Sequence, residues 1–302
     1  CDPDQLHAHR NDPDPAVRLG VLLAMRRLAD ARIAHFLDDA DPRLVTEAAR
    51  GIYDVPIEGA QEELAARIAP YLANETERHQ SEFQQEPLLR RLLAANYRGG
   101  EPRHAKRLLQ FLQQPDNPVA TRREAAAMLA TWQQPSPLDR VVGLFRPVKE
   151  REDDAIRTLL AEQTDTLLRQ AGPELQEAII DLLSAYRIEG GRDVLAAWVP
   201  DAKQPTATRI AALKMLAQSD APQIAGLLEQ TLEDENPDLR IAAGALLAER
   251  HPARAAALLV PIVQQSDSQT ERQQALAALG KVREGAEPAD RRPAVAQWLS
   301  AE

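Results

Sequence analysis

The chain has 302 residues, with 36 basic and 46 acidic side chains, a formal charge of −10, and only 4% aromatics. That charge sets it against phosphate backbones and anionic bilayers, so nucleic acid and membrane surfaces are poor partners unless a basic groove forms locally. Apolar residues at 44% suffice for a core built from Leu, Ala, Val and Ile, and no stretch is long and charge-free enough to predict a membrane span.

Over 12–29, Val17, Val21, Met25 and Leu28 recur at the three- and four-residue spacing of one helix face. Leu19, Leu22 and Leu23 add apolar bulk on other sides, which predicts a helix buried between neighbours. A shorter helix follows, with Ile33, Phe36 and Leu37 on one face. The punctuation then repeats. DPDPAVR at 12–18 and DADPRLV at 39–45 both run acid, turn, Pro, then an apolar helix opening with Arg. Proline suits the first helical turn, where its missing N–H is not needed, and a neighbouring Asp caps the free donors. Pro15 and Pro42 are 27 residues apart, and the form returns at Pro118, Pro205 and Pro237. Each proline precedes an amphipathic helix that carries an arginine: Arg18, Arg43, Arg122, Arg209 and Arg240. Periods of roughly 20–50 residues mark stacked helical pairs that bury their apolar faces only against neighbours. The clearest pairs put a first helix at 205–218 and a second at 222–233, then 237–250 and 252–265.

No run alternates β-branched and polar residues, so no strand series is predicted. Irregular stretches fall near 52–59 (IYDVPIEG) and 133–151, with a polar segment at 76–86 and glycine turns at 99–101 and 190–191. A polar stretch at 284–290 precedes a final helix containing Val295, Trp298 and Leu299. The expectation is an all-α, α-α superhelix of about seven or eight helical pairs, running as one array over 1–302.

Signatures of catalysis are missing. There is no G-x-S-x-G elbow, no phosphate-binding glycine loop and no H-E-x-x-H. His7 and His9 lie two apart, which does not place both rings on one helix face as i and i+4 would, so a metal site with Cys1 is not expected. Carboxylate pairs at Asp38-Asp39 and Glu233-Asp234-Glu235 read as helix-start charges. Trp132, Trp198 and Trp298 end apolar stripes and read as packing residues. The expectation is a non-enzymatic segment with no catalytic, cofactor or metal residues. The single Cys1 forms no internal disulfide, and the start at Cys1 without Met reads as a processed or trimmed end.

The candidate site is a loop. In 139–146, Arg140 and Arg146 bracket Val141, Val142, Leu144 and Phe145. Arginine and aromatics are favoured at the centres of interfaces, so the loop reads as a docking knob. The competing reading is that its apolar residues pack onto flanking helices while its arginines pair with nearby acids. Tyr53 beside Asp54 is the other candidate, again either structural or ligand-facing.

The repeated DPDPAVRLG and DADPRLVTEAARGI segments resemble HEAT repeats. VTEAARGIYDVPIEGA at 45–60 and WQQPSPLDRVVGLFRPV at 132–148 resemble, more narrowly, the HEAT region of large bacterial multidomain proteins. In those, a β-propeller resembling sugar or sorbosone dehydrogenases precedes the HEAT region and a c-type cytochrome domain follows. The resemblance implies a scaffold or connecting segment in electron transfer, outside the cytoplasm. Its partner would be a protein or a neighbouring domain of the same chain. The further alternative for such an array is a lyase-like HEAT enzyme acting on a client protein, which needs a pocket with a convergent polar group. Neither the propeller nor C-x-x-C-H occurs in this sequence, so no residue of those domains maps onto it.

Overall fold

The computed structural model of the protein describes residues 2–72, 82–218 and 224–285. Among them lie fifteen α-helices: α1 (Pro3–Ala8), α2 (Pro15–Leu28), α3 (Pro42–Asp54), α4 (Gln61–Ala66), α5 (Glu82–Gly99), α6 (Pro102–Gln113), α7 (Val119–Ala130), α8 (Asp154–Gln170), α9 (Pro173–Ala185), α10 (Arg192–Trp198), α11 (Thr206–Ala217), α12 (Ile224–Thr231), α13 (Pro237–Arg250), α14 (Pro252–Gln265) and α15 (Gln269–Gly285). Three 3₁₀ segments, at Ala31–Asp38, Glu58–Ala60 and Ala69–Tyr71, complete the helical content. The described residues hold no β-strand, only an isolated antiparallel bridge between Leu138 and Phe145. The fold is all-α, and no described helix is long and apolar enough to cross a membrane.

The proline punctuation works as its chemistry predicts at three of its five starts, while Pro118 and Pro205 take the cap position themselves with no side-chain cap. Asp14 accepts from the Ala16 N–H at 2.8 Å, Asp41 from Arg43 at 2.9 Å, and Asn236 from Asp238 at 3.0 Å. Each cap meets one of the donors that a helix start leaves without a partner, while Pro15, Pro42 and Pro237 lock the first turn.

The chain divides into two compact units, Cys1–Gln163 and Thr164–Glu302, with the division inside α8. In the first unit α2, α3, α5 and α7 contact one another in succession and form one layer. The 31–38 segment, α4 and α6 back them. In the second unit α9, α11, α13 and α15 form the equivalent series, backed by α10, α12 and α14. The expected helices at 237–250 and 252–265 coincide with α13 and α14. Ile33, Phe36 and Leu37 are all buried, as the helix-face reading requires. The expected final helix with Val295, Trp298 and Leu299 and most of the polar segment at 76–86 lie outside the described residues, except that 82–86 is helical.

One expectation is narrowed. Val21, Leu22 and Met25 are buried, but Val17, Leu23 and Leu28 are exposed. The physical reason is position: α2 opens the layered series, and among the described residues its main packing is against α1, the 31–38 segment and α3.

The arginine that follows each proline proves to be a cross-brace. Arg18 meets Asp39 at 2.8 Å, Arg240 meets Glu271 at 2.6 Å, and Arg209 pairs with Asp234. Each joins one repeat to the turn opening the next. The same side chains reach back to carbonyl oxygens: Arg209 Nε to Val199 at 2.7 Å, Arg18 to Asp12 at 2.8 Å, Arg240 to Asp234 at 2.7 Å. Arg122 donates to Leu112 at 2.7 Å in the same way, without an acid partner among the described residues. Its repeat runs into the irregular 131–153 stretch instead of a new Asp-Pro turn. Arg43 departs from the set, staying exposed and pairing with its own cap Asp41. The acids Asp39 and Asp234, read from sequence as helix-start charges, are therefore the far ends of these braces.

Candidate docking site

The segment after α7 cannot continue the helix, because Pro135 and Pro137 remove backbone donors. It folds into a tight hairpin instead. Asp139 N–H donates to the Leu144 carbonyl at 2.8 Å, Gly143 N–H to Asp139 at 2.9 Å, and Arg146 N–H to Pro137 at 2.8 Å. Gly143 turns the chain at φ 69°, a left-handed conformation that glycine adopts without steric cost.

Asp139 fastens this hairpin to the helices. Its carboxylate is fully buried and accepts the N–H groups of Val141 at 2.9 Å and Val142 at 3.0 Å. It also accepts the Tyr53 hydroxyl at 2.8 Å, and the guanidiniums of Arg146 and Arg98 lie at 3.3 and 3.5 Å. Burial works against ionisation, but the backbone donors, the Tyr53 hydroxyl and Arg146 outweigh it and hold the Asp139 carboxyl below the usual range. Burial, with the adjoining carboxylate, pushes the Tyr53 phenol far above its ordinary value, so Tyr53 is a hydrogen-bond donor and not an ionisable group.

Further bonds widen the base. Arg98 donates to the Arg146 carbonyl at 2.9 Å, Arg146 to the Tyr53 carbonyl at 3.2 Å, and Arg90 to the Arg140 carbonyl at 3.3 Å. The Arg146 guanidinium also lies 5.2 Å from the centre of the Tyr53 ring. Arg140 pairs with Glu124 of α7 at 2.6 Å. The hairpin is thus held by α3, α5 and α7 together.

The two readings left open by the sequence divide between residues. Tyr53, Arg140 and Arg146 are committed inward, to Asp139, Glu124 and main-chain oxygens. Leu144 and Phe145 are not packed down: they are 58% and 72% exposed, and Leu138 across the bridge is 54% exposed. Three large apolar side chains on one small hairpin make it the most exposed apolar feature described. The sequence reading missed Leu138 and Asp139 as its structural partners. The signal was present in the single acid inside an otherwise apolar and basic stretch.

Elsewhere, Trp132 is buried beneath Arg151, whose guanidinium lies 4.4 Å from its ring, and Tyr97 packs edge-on at 6.0 Å. His7 faces His35 edge-on at 6.4 Å, and no group of three potential metal ligands occurs among the described residues.

Layered helical pairs, Asp-Pro starts and arginine braces define a helical-repeat array. Residues 192–280 match the family model described as HEAT repeats, so that segment carries HEAT repeats. No curated protein matches the chain. Among solved structures, human deoxyhypusine hydroxylase in complex with glycerol is similar at 17% identity and a TM-score of 0.31, over 92% of this chain and 90% of that one. That neighbour is named as an enzyme, and it corrects the expectation that this segment is not one: missing catalytic motifs do not exclude catalysis from such an array. At that TM-score nothing about its chemistry is carried over.

Proposed function

We propose that the chain is an interaction array that seats a neighbouring domain of its own polypeptide on the 137–146 hairpin. The observation that carries this is the pairing of an exposed apolar tip with a buried, charged base. Leu138, Leu144 and Phe145 stay in water at a standing cost, since full burial of such side chains is worth about 1.5–3 kcal/mol each. The base around Asp139 holds them in one geometry, so the ordering cost of binding is already met. The two segments that resemble the HEAT region of dehydrogenase–cytochrome proteins, 45–60 and 132–148, meet at this hairpin through Tyr53 and Asp139. That meeting supports the narrower reading, in which the array holds an oxidising domain beside a haem domain.

The test is site-specific photocrosslinking from position 145 in the longest polypeptide the gene encodes. The expected product joins the hairpin to one flanking domain, and Leu144→Asp, with the crosslinker kept at position 145, abolishes it. Crosslinks scattered over the surface, or none above those from an exposed control at position 23, would overturn the reading.

A further inference from the structure

In the second unit, a cavity of about 580 Å³ opens where the end of α9, the start of α10 and the ends of α11 and α13 converge. Its rim carries Arg187, Arg192 and Arg250, and its floor includes Ile188, Leu195 and Met215, all three buried. The chain as a whole carries −10, so three guanidiniums at one opening run against its average.

Local physics disfavours two of them where they stand. Arg187 has φ 51° at the end of α9, where its N–H bonds Ser184 and the Ile188 N–H bonds Leu183. That is the left-handed residue of a Schellman motif, the place where glycine is preferred and a side chain costs roughly 1 kcal/mol. Arg192 is the first residue of α10, a cation at the positive end of a helix. Residues set against both backbone and dipole preference, converging on one concavity, are what a functional site leaves in a sequence.

Their donors are not used up within the fold. Arg192 lies 3.7 Å from Glu189 and Arg250 lies 3.6 Å from Glu249, both beyond hydrogen-bond length. Among the described residues, no carboxylate lies within ion-pair distance of Arg187. Of the residues lining the cavity, Glu189 alone is acidic, so the rim stays positive. Guanidiniums match planar or tetrahedral oxyanions through paired N–H donors, and the floor suits a short apolar stem.

We propose that this cavity is a binding site for a small organic dianion, two negative oxyanion charges carried on an apolar body. A phosphomonoester and a dicarboxylate share that chemistry. The site is independent of the hairpin and stands whether or not the docking reading does.

The experiment titrates the full chain with phenyl phosphate and with phthalate by calorimetry, using phenol and inorganic phosphate as controls. Saturable binding of one or both dianions is expected, at least about tenfold tighter than either control. Phenyl phosphate alone binding assigns the phosphomonoester, and phthalate alone assigns the dicarboxylate. Arg187→Gly is the decisive variant, because glycine removes the guanidinium while relieving the backbone, so the protein stays folded. It and Arg250→Gln are each expected to weaken binding about tenfold or more, while Arg43→Gln in the first unit has no effect. No saturation by either dianion, or equal affinity in Arg187→Gly and Arg43→Gln, overturns the proposal.

Discussion

Replacing Asp139 by alanine strips the hairpin base of its acceptor. The Val141 and Val142 N–H groups and the Tyr53 hydroxyl each lose a hydrogen bond, at about 1 kcal/mol apiece net, more where no water enters. The Arg146 guanidinium, 3.3 Å away and mostly buried, loses its counter-charge. Removing one member of a buried ion pair costs about 3–5 kcal/mol, and the separate losses sum to the same range. Asp139→Asn keeps one oxygen for the two N–H groups but gives up the charge and the oxygen that accepts the Tyr53 hydroxyl, so about 2 kcal/mol is expected. Phe145→Ser, altering a side chain that is 72% exposed, stays within about 0.5 kcal/mol of the parent. The assay is denaturant unfolding followed by Trp132 fluorescence, in a background with Trp198 and Trp298 changed to Phe, so that the signal comes from the first unit alone. The reasoning is refuted if Asp139→Ala and Phe145→Ser are equally mild, or if their order is reversed.

Four further outcomes follow from the same geometry. Because the Asp139 carboxyl titrates below its ordinary 3.8 in the folded protein, the unfolded chain takes up the proton first as the solution is acidified. The stability it contributes is therefore complete above about pH 5 and drains away below pH 4, visible as falling hydrogen-exchange protection at Val141 and Val142. Arg209→Met, which strands Asp234 and the Val199 carbonyl, costs about 3 kcal/mol by chemical denaturation, while Arg43→Gln costs under about 0.5. Ala29→Gly, at φ 52° after α2, raises thermal stability by about 1 kcal/mol, since glycine takes that conformation without a Cβ clash. Gly191→Ala does the opposite, because its Cβ would stand 2.1 Å from Leu168 Cδ1 at φ 67°, and a melting temperature equal to the parent's would show that α8 and α10 yield there.

The repeat architecture was legible because it rests on short-range rules. Asp-Pro starts, 3.6-residue apolar spacing and a fixed period each speak within a few residues, and α13 and α14 end where those signals end. What escaped was long-range pairing. Asp39 and Asp234 look like ordinary cap acids in sequence, and only the fold brings them to arginines 21 and 25 residues earlier. Tyr53 and Asp139 are 86 residues apart, so nothing local could join them. The docking loop was located from its composition, yet composition could not tell which of its residues turn inward. The rim of Arg187, Arg192 and Arg250 is not legible in the sequence, because Arg250 ends α13, far along the chain from the α9–α10 connection that carries the other two.

The hairpin has a mechanical consequence. Its bonds run to Tyr53 on α3, Arg90 and Arg98 on α5, and Glu124 on α7, three successive rungs of one layer. Paired-helix stacks yield by small slips between such rungs, and here a slip of an ångström or two breaks at least one of those bonds. The loop is therefore tied to the spacing of three helices at once, and stretching this part of the array would break bonds that hold the Phe145 tip in place.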